Sequence, residues 1–342
     1  MTRVVGIDPG TVSIDLCGLA DGVVWLDQTL PTQQALADPA ALLALLTSHG
    51  PPDLIAGPSG YGLPLVHAAQ ATETDLRLAY LAADGESGGL GGLRQLARLF
   101  AQAGLPLVYT PGAIHLPTVP AYRKLNRVDI GTADKVATAA LGIHDQAERL
   151  GGSTTHTSFI LLELGGAFTA ALAVDRGAII DGIGGTSGPI GWRAAGGWDG
   201  EVAYLAGSVS KEMLFRGGVE EMAKEVGLPA YIEAACKAVL ALSAALPQPR
   251  EILLSGRHAA DGTIREALDL RLSEIAPVRQ LIGFAAVAKQ GAQGAALIAD
   301  GLLGGRSAPI VESLRLRESG GTALDYLQVI TPEDARRRLG IL

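Results

Sequence analysis

The stretch that decides the fold reads VVGIDPGTVSIDL, residues 4–16 of the chain. An apolar run ends at Asp8, a Pro-Gly pair follows, and a second apolar run begins after the hydroxyls of Thr11 and Ser13. Proline pre-sets its own φ and Gly10 tolerates a positive φ, so the chain can reverse tightly here. The sequence therefore predicts two antiparallel strands joined by a turn, with a carboxylate at the end of the first strand.

This turn has two interpretations. Backbone amides together with hydroxyls form a concavity that suits a phosphate, and the nearby carboxylate of Asp8 suits the Mg²⁺ that accompanies a phosphate. Alternatively, the turn is an ordinary hairpin in which Asp8 only accepts hydrogen bonds from turn amides. These residues alone leave both interpretations open.

Composition sets the broad class of protein. The 342 residues are 48% hydrophobic and 18% charged, which allows two domains with sizeable cores. A net charge of −8 argues against nucleic acid or an anionic membrane as partner. Cys17 and Cys236 lie in apolar surroundings, which indicates free thiols in a reducing compartment. The N-terminus does not resemble a signal peptide, and apolar runs such as 159–164 are too short to span a bilayer. We therefore expect a soluble, cytoplasmic protein.

A loop rich in Gly and Pro, GPSGYGLP at residues 57–64, follows a short apolar strand at 53–56. Loops at the carboxyl ends of strands in α/β sheets are common ligand sites. Ser59, Gly60 and Tyr61 are therefore candidate substrate-binding residues, and a simple chain reversal is the alternative.

The opening pattern returns in the second half of the chain. An apolar strand at 157–164 ends with Glu163 and leads into Gly165-Gly166, and further strands are predicted at 167–174 and 178–183. Two strand–turn–strand–turn–strand units, each followed by helices and short strands, indicate a duplicated fold. The Gly-Gly-Ser segment that follows residue 150 is the expected domain boundary.

With both units placed, the chain resembles the superfamily of acetate kinase, sugar kinases, actin and the heat-shock ATPases. The superfamily's phosphate-1 motif resembles GIDPGTVS (6–13), its phosphate-2 motif resembles LELGGAFT (162–169), and its adenosine motif resembles ILLSG (252–256). The resemblance implies an α/β fold with two ribonuclease-H-like domains, residues 1–150 and 151–342, each with a mixed sheet. It also implies that ATP binds in the cleft between the domains.

A narrower resemblance rests on two segments. KLNRVDIGTADK (124–135) and the loop 57–64 are similar to a family named predicted butyrate kinases, which implies phosphoryl transfer to a short-chain carboxylate. The chain departs from acetate kinase itself, because it is shorter and has no positions that match the two catalytic arginines of that enzyme.

The superfamily resemblance also implies roles for individual residues. Mg²⁺ would bind beside the strand-end acids Asp8 and Glu163, although Glu163 could instead bond the amides of its own turn. ATP would bind between the two glycine turns. The expected nucleotide-binding residues are Gly10, Thr11, Ser13, Gly165, Gly166, Thr169, Gly256 and Arg257.

The polar segment around residues 123–135 supplies the expected catalytic groups. Asp134 would orient the metal or act as general base for a hydroxyl acceptor, whereas an ionised carboxylate acceptor needs no base. Arg123 and Arg127 would bind a carboxylate or the transferred phosphoryl group, and Lys124 would contact the substrate. The alternatives are a solvated basic face, and for the acids Asp129 and Asp134 a role as helix N-terminal charges.

Three functions remain possible at this stage. The first is an ATP- and Mg²⁺-dependent kinase for a small acid. The second is a nucleotide-binding regulatory protein with little catalysis, as in the actin-like branch. The third is a kinase for a hydroxyl acceptor such as a sugar, with Asp134 as base. A homodimer is compatible with each of them.

Overall fold

The computed structural model describes residues 2–10, 12–48, 50–57, 60–83 and 91–341. Two mixed β-sheets form its framework. The first contains β1 (Arg3–Pro9), β2 (Ser13–Ala20), β3 (Val23–Pro31), β4 (Leu54–Gly57), β5 (Val66–His67) and β6 (Leu107–Tyr109). The second contains β7 (Ser158–Leu164), β8 (Thr169–Asp175), β9 (Ala178–Ile183), β10 (Glu251–Ser255) and β11 (Val278–Gln280).

The two sheets share one topology. The first has the order β3-β2-β1-β4-β6-β5 and the second the order β9-β8-β7-β10-β11. In each sheet, three antiparallel strands are followed by two strands that are parallel to the first. This is the duplicated βββ unit that the sequence predicts, so the expected α/β fold with two mixed sheets is confirmed.

Helices cover and separate the sheets. The α-helices are α1 (Thr32–Ala37), α2 (Pro39–Thr47), α3 (Glu73–Tyr80), α4 (Gly91–Gln102), α5 (Ala121–Lys124), α6 (Ala133–Leu150), α7 (Gly200–Ala206), α8 (Lys224–Ser243), α9 (Gly262–Leu272), α10 (Gln290–Leu302), α11 (Ala308–Ser313) and α12 (Pro332–Arg338). Short 3-10 helices connect several of them, among them Glu212–Phe215 and Val219–Glu221.

Side chains alternate across each strand and so build three of the four apolar cores that the described residues form. On β1, Val4 points into a central core with α6 and α10, while Val5 and Ile7 point into an outer core with α1 to α4. The second sheet shares the central core and packs its other face on α8 and α9. Helices α6 and α10 therefore form a middle layer between the two sheets.

Helix α10 belongs to the last part of the chain but packs on the first sheet. A Cβ placed on Gly6 of β1 would lie 2.1 Å from the Ala292 carbonyl oxygen and 2.2 Å from the Ala296 nitrogen. On the opposite side of α10, a Cβ on Gly294 would lie 1.7 Å from the Ala137 oxygen in α6. Glycine thus allows the backbones of β1, α10 and α6 to pack closely. The expected domain boundary at residue 150 stays a prediction.

Within the described residues, one helix, Lys224–Ser243 (α8), is long and apolar enough by length and composition to cross a membrane. The window that meets this criterion is 44% buried, and Tyr231, Ala235 and Val239 of this helix belong to the outer core of the second sheet. Core helices of globular proteins meet the same criterion, so this helix is weak evidence for a membrane span.

Candidate functional site

Two equivalent turns follow the first strands of the two sheets. After β1, the Gly10 amide donates to the Ser13 carbonyl at 2.9 Å, and after β7, the Gly165 amide donates to the Phe168 carbonyl at 3.0 Å. These two amides are therefore consumed inside the turns. Gly10 shapes this turn, and its expected role in nucleotide binding stays a prediction.

The two turns border one cavity of about 510 Å³. A cavity of this volume is in the range of small-molecule sites. It brings together eleven residues that the sequence predicts as site residues: Asp8, Gly10, Ser13, Gly60, Tyr61, Asp134, Glu163, Gly165, Gly166, Gly256 and Arg257.

Asp8 lies where β1 meets the start of α10. A Cβ on Gly291 would lie only 2.6 Å from the Asp8 Oδ2, so the first turn of α10 packs directly against the Asp8 carboxylate. Burial, followed by the nearby Asp134 carboxylate, raises the pKa of Asp8 to about 7. A cation that binds between these acids would therefore relieve an unfavourable concentration of negative charge.

Asp134 and Lys135 open α6 and form an ion pair on the cavity wall. The Asp134 carboxylate accepts hydrogen bonds from the Thr132 hydroxyl and the Lys135 ammonium. Burial alone would raise the pKa of Asp134, but Lys135 outweighs burial and holds it below the usual value. The Lys135 Nζ also lies 3.9 Å from a Glu163 oxygen, so one lysine links the acids of both halves.

Glu163 ends β7 beside the predicted adenosine motif. It accepts a hydrogen bond from the Ser255 hydroxyl, and a Cβ on Gly256 would lie 2.8 Å from its Oε1. Gly256 has φ +87° and follows β10 directly, so only a residue without a side chain fits comfortably. Arg257 is exposed and its Cδ lies 3.8 Å from the Cβ that a side chain at Gly166 would have.

Another part of the cavity wall is aromatic. The Phe168 and Phe215 rings meet edge to face at 5.0 Å, and Tyr61 lies on the wall contributed by the first half of the chain. The Lys211 Nζ lies 5.6 Å from the centre of the Tyr61 ring. Asp129 is buried at this wall, where it accepts hydrogen bonds from Gly131 and Thr186.

Four predicted site residues do not line this cavity. Arg123 donates to the Ile180 carbonyl at 2.7 Å and lies 3.6 Å from Asp181. Lys124 is buried and donates to the Leu116 carbonyl at 2.8 Å, and Arg127 is exposed. Thr169 is buried in β8.

Two further predicted residues, Thr11 and Ser59, lie outside the described residues. The arginines are separated because α5 ends at Lys124 and Asn126 adopts φ +55°, so Arg123 and Arg127 do not share a helical face.

Lys289 is a site residue that sequence reasoning missed. It precedes α10 and lines the cavity, and its Nζ lies 3.1 Å from Asp15 and donates to the Ser13 hydroxyl. No local pattern marks it, since Ser13 and Lys289 are 276 positions apart. Lys135 belongs to the segment 124–135 but is not among the predicted site residues, although Asp134, Glu163 and Asp8 outweigh its burial and raise its pKa.

No group of three or more His, Cys, Asp or Glu side chains that could enclose a metal ion occurs in the described part of the chain. Mg²⁺ is commonly held by one or two carboxylates with water and substrate phosphates. Asp8, with its raised pKa, fits such a partial site.

A family model described as "Protein of unknown function (DUF1464)" matches residues 6–329. A search of curated proteins by sequence gives no match.

Solved structures share the fold at low sequence identity. A propionate kinase from Francisella tularensis subsp. tularensis SCHU S4 is 13% identical, with 86% of this chain and 99% of that chain covered and a TM-score of 0.59. Acetate kinase from Porphyromonas gingivalis is 14% identical, with coverages of 80% and 88% and a TM-score of 0.55. Acetate kinase from Entamoeba histolytica is 9% identical, with coverages of 80% and 87% and a TM-score of 0.56.

The narrower resemblance to predicted butyrate kinases stays a prediction. The family model covers most of the chain, and solved acetate and propionate kinases share its fold. The chain therefore belongs to the DUF1464 family and has the fold of solved acetate and propionate kinases.

Proposed function

We propose that the protein is an ATP-dependent phosphotransferase that acts on a small molecule. The observation that carries this proposal is the pair of equivalent turns, Asp8-Pro9-Gly10 and Glu163-Leu164-Gly165, on two sides of one cavity. Phosphoryl transfer asks a protein mainly for positioning and for neutralisation of phosphate charge. Turns from two sheets, with Lys135 and Lys289 between them, suit both tasks.

In this proposal each group of the chain has one task. The turns hold the polyphosphate from two sides, and Gly256 and Arg257 lie beside the nucleoside. Asp8 holds the divalent metal, for which we propose Mg²⁺. Glu163 contributes to this metal site through a water molecule or through the Ser255 hydroxyl. The metal supplies neutralisation of the phosphate charge, and Lys135 keeps Asp134 ionised in the cavity.

The acceptor is the finer part of the proposal. A short-chain carboxylate is the first candidate, supported by the shared fold with solved acetate and propionate kinases. The aromatic wall of Tyr61, Phe168 and Phe215 suits a short alkyl chain. A carboxylate is already ionised, so Asp134 would then orient the metal or the acceptor.

A hydroxyl acceptor is the second candidate, and one specific observation favours it. Arg123 and Arg127, which would bind a carboxylate, do not line the cavity, whereas Asp134 does. An ionised aspartate within the cavity could accept the proton of an attacking hydroxyl group.

The first test is thermal unfolding with and without Mg·ATP, for wild type, Asp8→Ala and Gly165→Val. A ligand at 100 times its dissociation constant adds about 2.7 kcal/mol to the free energy of unfolding. We expect this shift in wild type and in the control Asp269→Ala, which alters an exposed acid on α9, and its loss in both site variants. The absence of a shift in wild type would refute the kinase proposal.

The second test separates the acceptors. ADP release is followed with acetate, propionate and butyrate, with hydroxylamine present to trap an acyl phosphate, and in parallel with sugars and other alcohols. Asp134→Asn should abolish transfer to a hydroxyl but weaken transfer to a carboxylate less. ATP binding without turnover on any acceptor would favour the regulatory alternative.

A further inference from the structure

We propose that Lys289 binds the terminal phosphate of the nucleotide, a role that rests on the proposed function. Lys289 lies directly before α10 and its side chain reaches back to the first glycine turn. A Cβ on Gly10 would lie 3.6 Å from the Lys289 Nζ, so the ammonium stands immediately beside this turn. A cation at this position would interact with an anion that is bound at the turn.

Two residues of β2, Ser13 and Asp15, hold the Lys289 ammonium in place. Asp15, whose side chain is 1% exposed, lies 3.1 Å from the Nζ, and Ser13 accepts a hydrogen bond from it. The Asp15 carboxylate also accepts a hydrogen bond from the Lys289 amide at 3.4 Å. An ammonium that is positioned before a ligand arrives loses little conformational freedom on binding.

The backbone that carries Lys289 is fixed as well. Asp27 of β3 accepts hydrogen bonds from the amides of Ala286, Val287 and Ala288. From the other side, the Gln293 carboxamide accepts from Phe284 and donates to the Ala288 carbonyl at 2.7 Å. The loop before α10 is therefore tied both to the first sheet and to α10 itself.

Lys289 also has capacity left for a ligand. An ammonium has three N–H donors, and the described side-chain acceptors are Ser13 and Asp15. Its side chain is 44% exposed, toward the cavity that it lines. Lys135, by contrast, is 16% exposed and is bonded to Asp134 with Glu163 nearby. Lys289 is thus the better placed of the two lysines to take a new anion.

The location identifies which phosphate Lys289 would bind. Gly256 and Arg257, the groups proposed for the nucleoside end, directly follow β10 of the second sheet and lie next to Glu163 and Gly166. Lys289 stands at the turn of the first sheet and lines the same cavity. A nucleotide that starts at Gly256 and crosses the cavity would bring its last phosphate to Lys289.

The test compares ATP, ADP and AMP binding by calorimetry, with Mg²⁺ present, for wild type and Lys289→Met. We expect Lys289→Met to weaken ATP about tenfold or more, since a hydrogen bond between charged groups is lost, and to leave AMP unchanged. Because Lys289→Met leaves Asp15 buried without its partner, the double variant Asp15→Asn with Lys289→Met is measured too. Lys237→Met, on an exposed ion pair of α8, is the matched control.

The outcomes separate this role from the proposed function. Equal weakening of ATP and AMP, or unchanged ATP affinity in Lys289→Met and in the double variant, would overturn the role of Lys289 and leave the nucleotide site standing. Failure of wild type to bind any of the three nucleotides would overturn both proposals.

Discussion

Gly6 offers a severe test of the packing between β1 and α10. The substitution Gly6→Ala places a Cβ 2.1 Å from the Ala292 oxygen and 2.2 Å from the Ala296 nitrogen, well inside the 3.4 Å at which ordinary contact begins. Both neighbours are backbone atoms of a buried helix, so no side chain can turn aside. Helix α10 cannot retreat either, because Gly294 already rests on the Ala137 carbonyl of α6.

The structure must therefore shift a whole element to accept one methyl group. Overpacking a core costs about 1–3 kcal/mol when side chains can adjust, and we expect Gly6→Ala to cost about 3 kcal/mol or more. Urea unfolding measures this loss, and Gly262→Ala is the control, because nothing lies within 4 Å of the Cβ that it adds in α9. A midpoint for Gly6→Ala equal to that of wild type would refute this account of the middle layer.

Two further predictions concern the cavity. Between the ordinary Asp pKa of 3.8 and about 7, the folded state keeps a proton on Asp8 that the unfolded chain has released, so the ligand-free protein loses stability as pH rises through this window. Asp8→Asn should remove that decline in urea unfolding at a series of pH values; parallel pH profiles would contradict it. Asp27→Ala removes the acceptor of three backbone amides and should lower the free energy of unfolding by about 1–3 kcal/mol. Because these amides precede Lys289, the variant should also bind ATP more weakly. A variant as stable as wild type would show that water replaces Asp27.

Local sequence signals were sufficient for the repeated part of the fold. Strands β1 and β7 each end in an acid that leads into a glycine turn, and a turn with a positive φ follows the second strand in both units, at Gly22 and Gly177. Alternating apolar residues and turn glycines act over a few positions, so a single sequence contains them. Helix α3 also carries such a local signal, the capping box of Thr72 and Asp75, but this helix is not among those predicted from the sequence.

The remaining features of the fold and of the site depend on contacts between residues that are far apart in the sequence. Helix α10 begins at Gln290, and the amides just before it are bound by Asp27, which comes from a distant part of the chain. Lys289 gains its place from Ser13 and Asp15, which no local pattern connects to it. Arg123 fits a catalytic role by its charge alone, and only its bond to the Ile180 carbonyl shows that it faces elsewhere.

The position of α10 has a consequence for the order in which the protein can fold during synthesis. Strand β1 leaves the ribosome long before α10, the helix that covers its inner face and ends at Leu302. Until then, Val4, Cys17 and Leu54 lack the residues that bury them in the finished protein. Domains usually fold one after another as they are translated. Here the first sheet can complete its core only after α10 has been made, so its apolar face stays uncovered while the residues between β1 and α10 are translated.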